Sequence, residues 1–386
     1  MKKILFVTNR YPEIKNYSGD TLLAYNIIEY LRKKNTVDVV CTHNINKKNS
    51  INTQKNGKTY LYKKNNILVR IFYTFLSIIN FKPMQIGFFH SKEIKNFLSI
   101  NHKNYDTIIF HTFRSAQYLP INFKGKKILE MTDIMSDNYD QTKQKINILN
   151  PLYFLYSIES LLLKKYEIYC FRTFDKIVLI ERVDIKKLLK VFKNKIVTIN
   201  IGIDIKQKIF RFKKKNSLII FIGNVRYLPN KYACYDFAKN ILPKINIIYP
   251  DIKFYIIGKI NIIDKIKLSL LKKVKVLGVV DNLKKYIKSS VCGISNLQIA
   301  TGTQIKILTY MSYGLPVICS RKSALGIDKF KNYQDFILFN NNKNFINQVL
   351  ELKKNKMLAN KLSNNSYLKV KKLGWEQTLS PYKKII

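Results

Sequence analysis

Acidic residues are scarce: 24 Asp and Glu stand against 69 Lys and Arg in 386 residues, a formal charge of +45. The excess is no basic tail, because the net charge is +19 up to residue 200 and +26 beyond it. A spread excess suits an anionic partner such as a membrane surface, a nucleotide or a nucleic acid. It equally suits lysines scattered over solvated faces, which a composition weighted to Lys, Asn, Ile, Tyr and Phe would produce by itself. Histidine is rarer still, with four residues and no HExxH or DxD pattern, so no metal is expected. The five cysteines (Cys41, Cys170, Cys234, Cys292, Cys319) show no CxxC and no metal spacing. Set in runs such as VDVVC and PVICS, they predict buried thiols in a reducing compartment. No uncharged apolar run reaches the roughly 18 residues of a membrane-spanning helix. The opening MKKILFVTNRYP has a basic end, but its apolar run is short and no small-residue cleavage site follows. It predicts a first buried strand.

What is present is enough apolar residue, 47% of the chain, for two hydrophobic cores rather than a disordered protein. Strands are predicted at 4–9, 37–41, 106–111, 127–133, 176–180 and 195–200, with helices at 21–34, 151–173 and 183–191. A lysine-rich stretch, KQKIFRFKKKNS (206–217), predicts a linker, after which the alternation begins afresh. Strands follow at 217–223, 253–258, 274–278, 291–295 and 316–320. Such alternation predicts parallel sheets covered on both faces, with ligands at the carboxyl ends of the strands.

The strongest chemical signal is TGTQIKILTYMSYGLPVICS (301–320). Gly302 and Thr303 are expected to open a helix whose free N–H groups bind a diphosphate, with Lys306 one turn further on. By itself a glycine-capped βα turn would read the same way. Upstream, IGNVRYLPNK places Gly223, Arg226, Asn230 and Lys231 on a strand-end loop, and the Gly278-Val279-Val280 turn could frame a flat base.

Taken together, these segments resemble the nucleotide-sugar domain of retaining glycosyltransferases of the family-four, or group-one, type with the GT-B fold. The likeness is greatest to sugar transferases of bacterial exopolysaccharide and surface-glycan assembly. IGNVRYLPN stands where that family has a strand-GSxxYxPN loop, GVVDN stands for GxVxD, and GTQIKILTYMSYGLPVI stands for GTxxKxLEAMAxGxPVV. More weakly, SGDTLLAYNIIEYL (18–31), ILEMTDIMSDNY (128–139) and YEIYCFRTFDKIVLIERVDIKKL (166–188) resemble its first domain.

The resemblance implies an α/β protein of GT-B type, with two Rossmann-like doubly wound domains facing across a cleft. An acceptor-side domain would span 1–205 and a nucleotide-sugar domain 206–370, with 371–386 crossing back to the first. Gly19 and Asp20 would face the donor phosphates, Arg226 and Lys231 neutralise them, and Val279 and Val280 frame the base. Gly302, Thr303 and Lys306 would hold the phosphates, and Thr309 stands at the ribose. Gly223 would bring the backbone close to the donor. No cofactor is implied beyond a UDP- or GDP-linked sugar as co-substrate.

Thr309 is a departure, because the family has a Glu there that contacts the ribose hydroxyls. The family's Asn-Gly pair before the linker is Ile201-Gly202, and the earlier acid of its Glu-x7-Glu pattern is missing near Ala300-Thr301. The implied reaction needs little from side chains, since charge develops on a leaving nucleoside diphosphate. His111 and Asp133, closing their strands, are the catalytic candidates, although a strand-end His is more often structural.

The expected activity is sugar transfer, with retention, to a glycan or lipid-linked acceptor in bacterial surface polysaccharide synthesis (O-antigen, capsule or exopolysaccharide). The expected place is the cytoplasm, peripheral at the inner face of the cell membrane. The alternative is an inactive relative acting as a scaffold subunit. Nucleic-acid binding rests on charge alone and lacks a reading motif, so no nucleic-acid partner is expected. A UDP-sugar epimerase would want more acidic residues. Residues 60–95 interleave Phe72, Tyr73, Phe75, Phe81, Phe88 and Phe89 with Lys63, Lys64, Arg70, Lys82, Lys92 and Lys95. They predict docking on an anionic membrane, the alternative being a core helix plus loop of the first domain.

Overall fold

Near-continuous apolar runs become strands buried on both faces, as parallel sheets require. The computed structural model describes residues 1–386 apart from 14–18, 44–48, 145, 181–190, 193, 301–302 and 328. The predicted helix at 183–191 therefore lies almost wholly outside the described residues. The chain divides into two compact units, one of Met1–Asn200 with Leu379–Ile386, the other of Ile201–Thr378.

The first unit is built on an eight-stranded sheet. Its strands are β1 (Lys3–Thr8), β2 (Thr36–His43), β3 (Ser50–Gln54), β4 (Gly57–Lys63), β5 (Thr107–His111), β6 (Lys126–Thr132), β7 (Lys176–Ile180) and β8 (Ile196–Ile199). Their order is β3-β4-β2-β1-β5-β6-β7-β8, parallel except for the antiparallel β3–β4 hairpin. That hairpin escaped the sequence reading because β3 is exposed along its whole length and carries no buried alternation. Its local signal is Asn56-Gly57, both at positive φ: Lys55 and Asn56 form the tight turn between the paired Gln54 and Gly57. Helix α1 (Gly19–Arg32) follows β1, and α2 (Ile67–Ile79) and α3 (Met84–Phe88) follow β4. Further on come α4 (Lys92–Asn101), α5 (Met135–Lys143) and α6 (Pro151–Thr173). Two carboxylates of α6 act as remote caps. Glu159 accepts from the backbone N–H of Met84 and Gln85, and Glu167 from those of Met135 and Ser136. They satisfy orphan donors at the starts of α3 and α5. At the chain's end Tyr382 and Ile385 are buried.

The second unit holds β9 (Leu218–Ile222), β10 (Lys253–Ile257), β11 (Val274–Gly278), β12 (Ser290–Ser295), β13 (Val317–Ser320) and β14 (Ile337–Phe339). Their order is β11-β10-β9-β12-β13-β14, all parallel, the doubly wound order of a dinucleotide-binding sheet. The strand order therefore reverses between β9 and β12, and in the first unit between β1 and β5. Both are α/β units with parallel sheets, as the sequence alternation predicts. The short β14 is missing from the sequence reading.

Residues 371–378 stay with the second unit, where Gly374 bridges Ile203 and the Trp375 indole N–H donates to Asp204 at 3.0 Å. A Cβ on Gly202 would stand 2.2 Å from the Trp375 ring, so only glycine lets the backbone pass beneath it. Gly202→Ala should therefore destabilise the second unit by about 1–3 kcal/mol, the usual cost of overpacking. Trp375 is the single tryptophan, so its fluorescence in a denaturant titration reads the effect directly. An unchanged midpoint would contradict the packing.

Candidate functional site

In the second unit the site residues gather at the carboxyl ends of β9 and β12. Tyr310, fully buried, fixes that geometry: its hydroxyl accepts the Ile222 N–H at 2.7 Å and lies 3.2–3.3 Å from the carbonyls of Ile294 and Ile220. Its ring fills the space a side chain at Gly293 would need. The helix Ile305–Ser312 is thereby held against the two central strands. Neither Tyr310 nor Gly293 stood out in the sequence.

The same helix carries Lys306, also buried. Its ammonium donates to Asn230 Oδ1 at 2.6 Å and sits 4.3 Å from the centre of the Phe221 ring. No carboxylate is paired with it among the described residues. Burial pushes its pKa down to about 7, with the nearby Cys234 opposing weakly. Asn230, named in the sequence as part of the loop, emerges as the partner that places Lys306, and its amide N–H₂ also holds the Asn224 carbonyl.

Other predicted residues are placed differently. The helix starts at Ile305 with Gln304 as cap residue and no side-chain cap, so Thr303 does not open it. Thr303 instead donates to the Gly326 carbonyl at 3.1 Å, tying two loops together. Gly302 lies outside the described residues. Lys231 is not a free cation for a diphosphate, because it pairs at 2.8 Å with buried Asp264. Asp264 is held below the usual carboxylate range: burial pushes it up, but bonds from Lys231, Asn261 and Tyr235 outweigh that. Arg226 is exposed on the loop after β9. Gly223 accepts no bulk easily, since a Cβ would meet the Phe221 ring at 3.2 Å and the Asn230 amide at 3.3 Å. The neighbouring Gly258, at φ +135°, lies directly against the Gly223 carbonyl. Val279 is half-exposed beyond β11, with Val280 beside it. Thr309 uses its hydroxyl within the helix, donating to the Ile305 carbonyl at 2.9 Å, which leaves only acceptor capacity for a ligand.

In the first unit Gly19 opens α1, and Asp20 in its first turn pairs with Arg10 at 2.8 Å. His111 ends β5, buried and stacked on Phe6. One ring nitrogen contacts the Glu130 carboxylate and the other lies 3.1 Å from the Asp20 carbonyl. A carboxylate on one side and a carbonyl on the other favour the charged form of the ring. Burial pushes its pKa down, but the Glu130 carboxylate by charge and hydrogen bond, with Asp20, pushes it up further, and the net shift is upward. Asp133 follows β6 and is not the carboxylate His111 meets; Glu130 is. Glu130 escaped the sequence reading because it falls inside a strand, with nothing to mark which face it takes. Thr112 and Thr132, each just past His111 or Glu130, sit at positive φ, which β-branched residues rarely adopt. Such strain at strand ends beside a buried charged pair marks a built site.

A raised histidine pKa contributes stability below the unfolded value near 6.5. That stability is lost as pH rises through the folded value. NMR titration of His111 should give a midpoint above 6.5, and Glu130→Gln should lower it, since burial is then opposed only by Asp20. A wild-type midpoint at or below 6.5 would contradict the pairing.

Residues 216–355 match the family described as "Glycosyl transferases group 1". No curated protein matches the chain in sequence. Among solved structures, Anabaena HepE, in a complex with UDP and glucose, superposes with a TM-score of 0.68 at 11% identity, covering 100% of both chains. The sucrose-phosphate synthase of Thermosynechococcus elongatus gives 0.74 at 13%, over 100% of this chain and 98% of that one. WaaG, a glycosyltransferase involved in lipopolysaccharide biosynthesis, gives 0.68 at 11% with 99% of each chain covered. The fold is GT-B, and the second unit carries a group 1 glycosyltransferase domain.

Proposed function

We propose that the protein transfers a sugar, with retention, from a UDP- or GDP-linked donor to a glycan or lipid-linked acceptor of a bacterial surface polysaccharide. The observation that carries this reading is Lys306: a buried ammonium without a carboxylate partner among the described residues, at the switch point of a doubly wound sheet, in a group 1 glycosyltransferase domain. In this reading the donor diphosphate takes up the place of the missing counter-ion. The uncapped start of the helix Ile305–Ser312 adds N–H donors and the positive end of its dipole. As the glycosidic bond breaks, charge grows on the leaving diphosphate, and these groups stabilise it more than the ground state. Release of nucleoside diphosphate from a panel of UDP- and GDP-sugars by the purified protein tests the reading.

Thr309 supports a second reading. With its hydroxyl bonded inside the helix, it offers the ribose less than a carboxylate would, as expected of an inactive scaffold relative. Nucleotide binding without turnover on any donor and acceptor would favour that reading.

The membrane part of the proposal rests on α2, of which only Ser77 is buried. Leu68, Ile71, Phe72, Phe75 and Ile79 are all exposed, and Phe81 follows them. Among the described residues no helix is long and apolar enough to cross a membrane. A helix this apolar on its open face fits the interface plane. Not every residue of 60–95 can take part, however: Phe88 and Phe89 lie under arginine side chains, and Lys64 is half-buried. Phe72→Asp with Phe75→Asp should therefore abolish co-sedimentation with anionic vesicles, and Lys82→Glu should weaken it at low salt. A wild-type protein that stays in the supernatant would end the membrane proposal.

A further inference from the structure

Four basic residues converge in the first unit from four places in the chain: Arg10 after β1, Lys64 after β4, Arg70 on α2 and Arg114 after β5. Three of them stack around one ring, with the guanidinium carbons of Arg10, Arg114 and Arg70 lying 5.8, 4.8 and 5.7 Å from the centre of Phe89. Arg70 also lies 3.7 Å over Phe88.

Their counter-charges are few. Asp20 pairs with Arg10 at 2.8 Å. Among the described residues the hydrogen-bond partner of Arg70 is the Phe88 carbonyl, at 3.0 Å, and that of Arg114 the side-chain oxygen of Gln85. The Lys64 ammonium has no hydrogen-bond partner among the described residues. The Glu159 carboxylate, near Arg114, is engaged by the backbone of Met84 and Gln85. The cations feel one another: burial and then Arg10 lower the pKa of Lys64, Arg70 and Arg114, the last to about 10. Aromatic faces offset part of this repulsion. An excess of partly buried like charge is nevertheless costly to fold without an anion.

Asn9, Arg10, Asp20, Phe89, His111 and Arg114 line a small pocket at the carboxyl ends of β1 and β5, where the strand order of this sheet reverses. That is the position at which open α/β sheets bind ligands. Guanidinium forks there match the paired oxygens of a phosphoryl or carboxylate group.

We propose that this pocket binds an oxyanion, phosphoryl or carboxylate, carried by the acceptor, held by Arg10 and Arg114, which line it, with Arg70 adding its charge from across Phe89. The acceptor is accordingly an acidic one, such as a sugar phosphate, a uronic acid or a phosphate-linked lipid. This rests on the first unit being the acceptor side of a sugar transferase.

The test is calorimetric titration of the full-length protein, at low salt, with inorganic phosphate, glucuronate, neutral glucose and UDP. Phosphate or glucuronate should bind where glucose at the same concentration does not, and the stronger of the two identifies the acidic group. Arg114→Gln and Arg70→Gln should each weaken that binding roughly tenfold or more. Lys272→Gln, at an exposed lysine of the second unit, should leave it unchanged. Arg114→Lys, which keeps the charge but loses the fork, should fall between and covers the case in which Arg114→Gln fails to fold. Anions binding no better than glucose, or lost in Lys306→Ala and intact in Arg70→Gln, would overturn the inference. UDP binding alongside such a result leaves the transferase reading standing, whereas anion binding without UDP binding removes that reading alone.

Discussion

Lys306→Ala is expected to weaken nucleoside-diphosphate binding by about 1.5–3 kcal/mol, the range of a charge-assisted bond, which is roughly a ten- to hundredfold loss. The reason is the environment of the ammonium. Asn230 and the Phe221 face hold it without neutralising it, and burial lowers its pKa to about 7. A diphosphate placed beside it favours the charged form and raises its pKa. Binding at pH 8 therefore takes up a proton, and affinity should fall as pH rises above 7, by up to about a decade per unit. Calorimetry in buffers of different ionisation heat would read the uptake, and Lys306→Ala should abolish it. The same residue acts on stability with a defined sign. Its folded pKa lies below the unfolded value, so the unfolded chain binds more protons between about pH 7 and 10.5. The Lys306 contribution thus makes the ligand-free protein more stable as pH rises through that window. Equal affinity in the variant, with no change in the proton uptake, would place the phosphates elsewhere.

Tyr310→Ala is expected to cost about 3–5 kcal/mol, the loss on truncating a fully buried aromatic side chain. The residue is more than filler. Its hydroxyl takes the Ile222 N–H at the end of β9, and its ring occupies the space over Gly293 on β12. Tyr310→Phe keeps the ring and strands the Ile222 N–H, so it should cost about 1–3 kcal/mol. Because the helix that carries Tyr310 also carries Lys306, both variants should loosen donor binding, the alanine more than the phenylalanine. Denaturant unfolding gives the first effect and UDP titration of the folded fraction the second. A phenylalanine variant as unstable as the alanine one would contradict this division between ring and hydroxyl.

The α/β alternation and most strands were legible because parallel strands buried on both faces write themselves as apolar runs, as in TIIF at Thr107–His111 and LIIFI at Leu218–Ile222. The β3–β4 hairpin left no such trace, being exposed and polar, and only Asn56-Gly57 marked it. The motif around Lys306 was legible as a pattern of residue types, but the partners of its members were not. That Lys231 meets Asp264, that Thr303 meets Gly326 and that His111 meets Glu130 depends on contacts 19 or more residues apart in the chain. The arginine cluster of the first unit was invisible for the same reason. Arg10, Arg70 and Arg114 are single basic residues in a sequence full of them, and only the fold brings them to Phe89.

Backbone hydrogen exchange with and without UDP tests the central claim most directly, since it reports where the donor sits. Binding as proposed should slow exchange in 222–231, which holds the β9 loop and Asn230, and in 303–312, which holds Lys306, with little change in β13 and β14. UDP that protects neither segment, or protects only the first unit, would contradict the account.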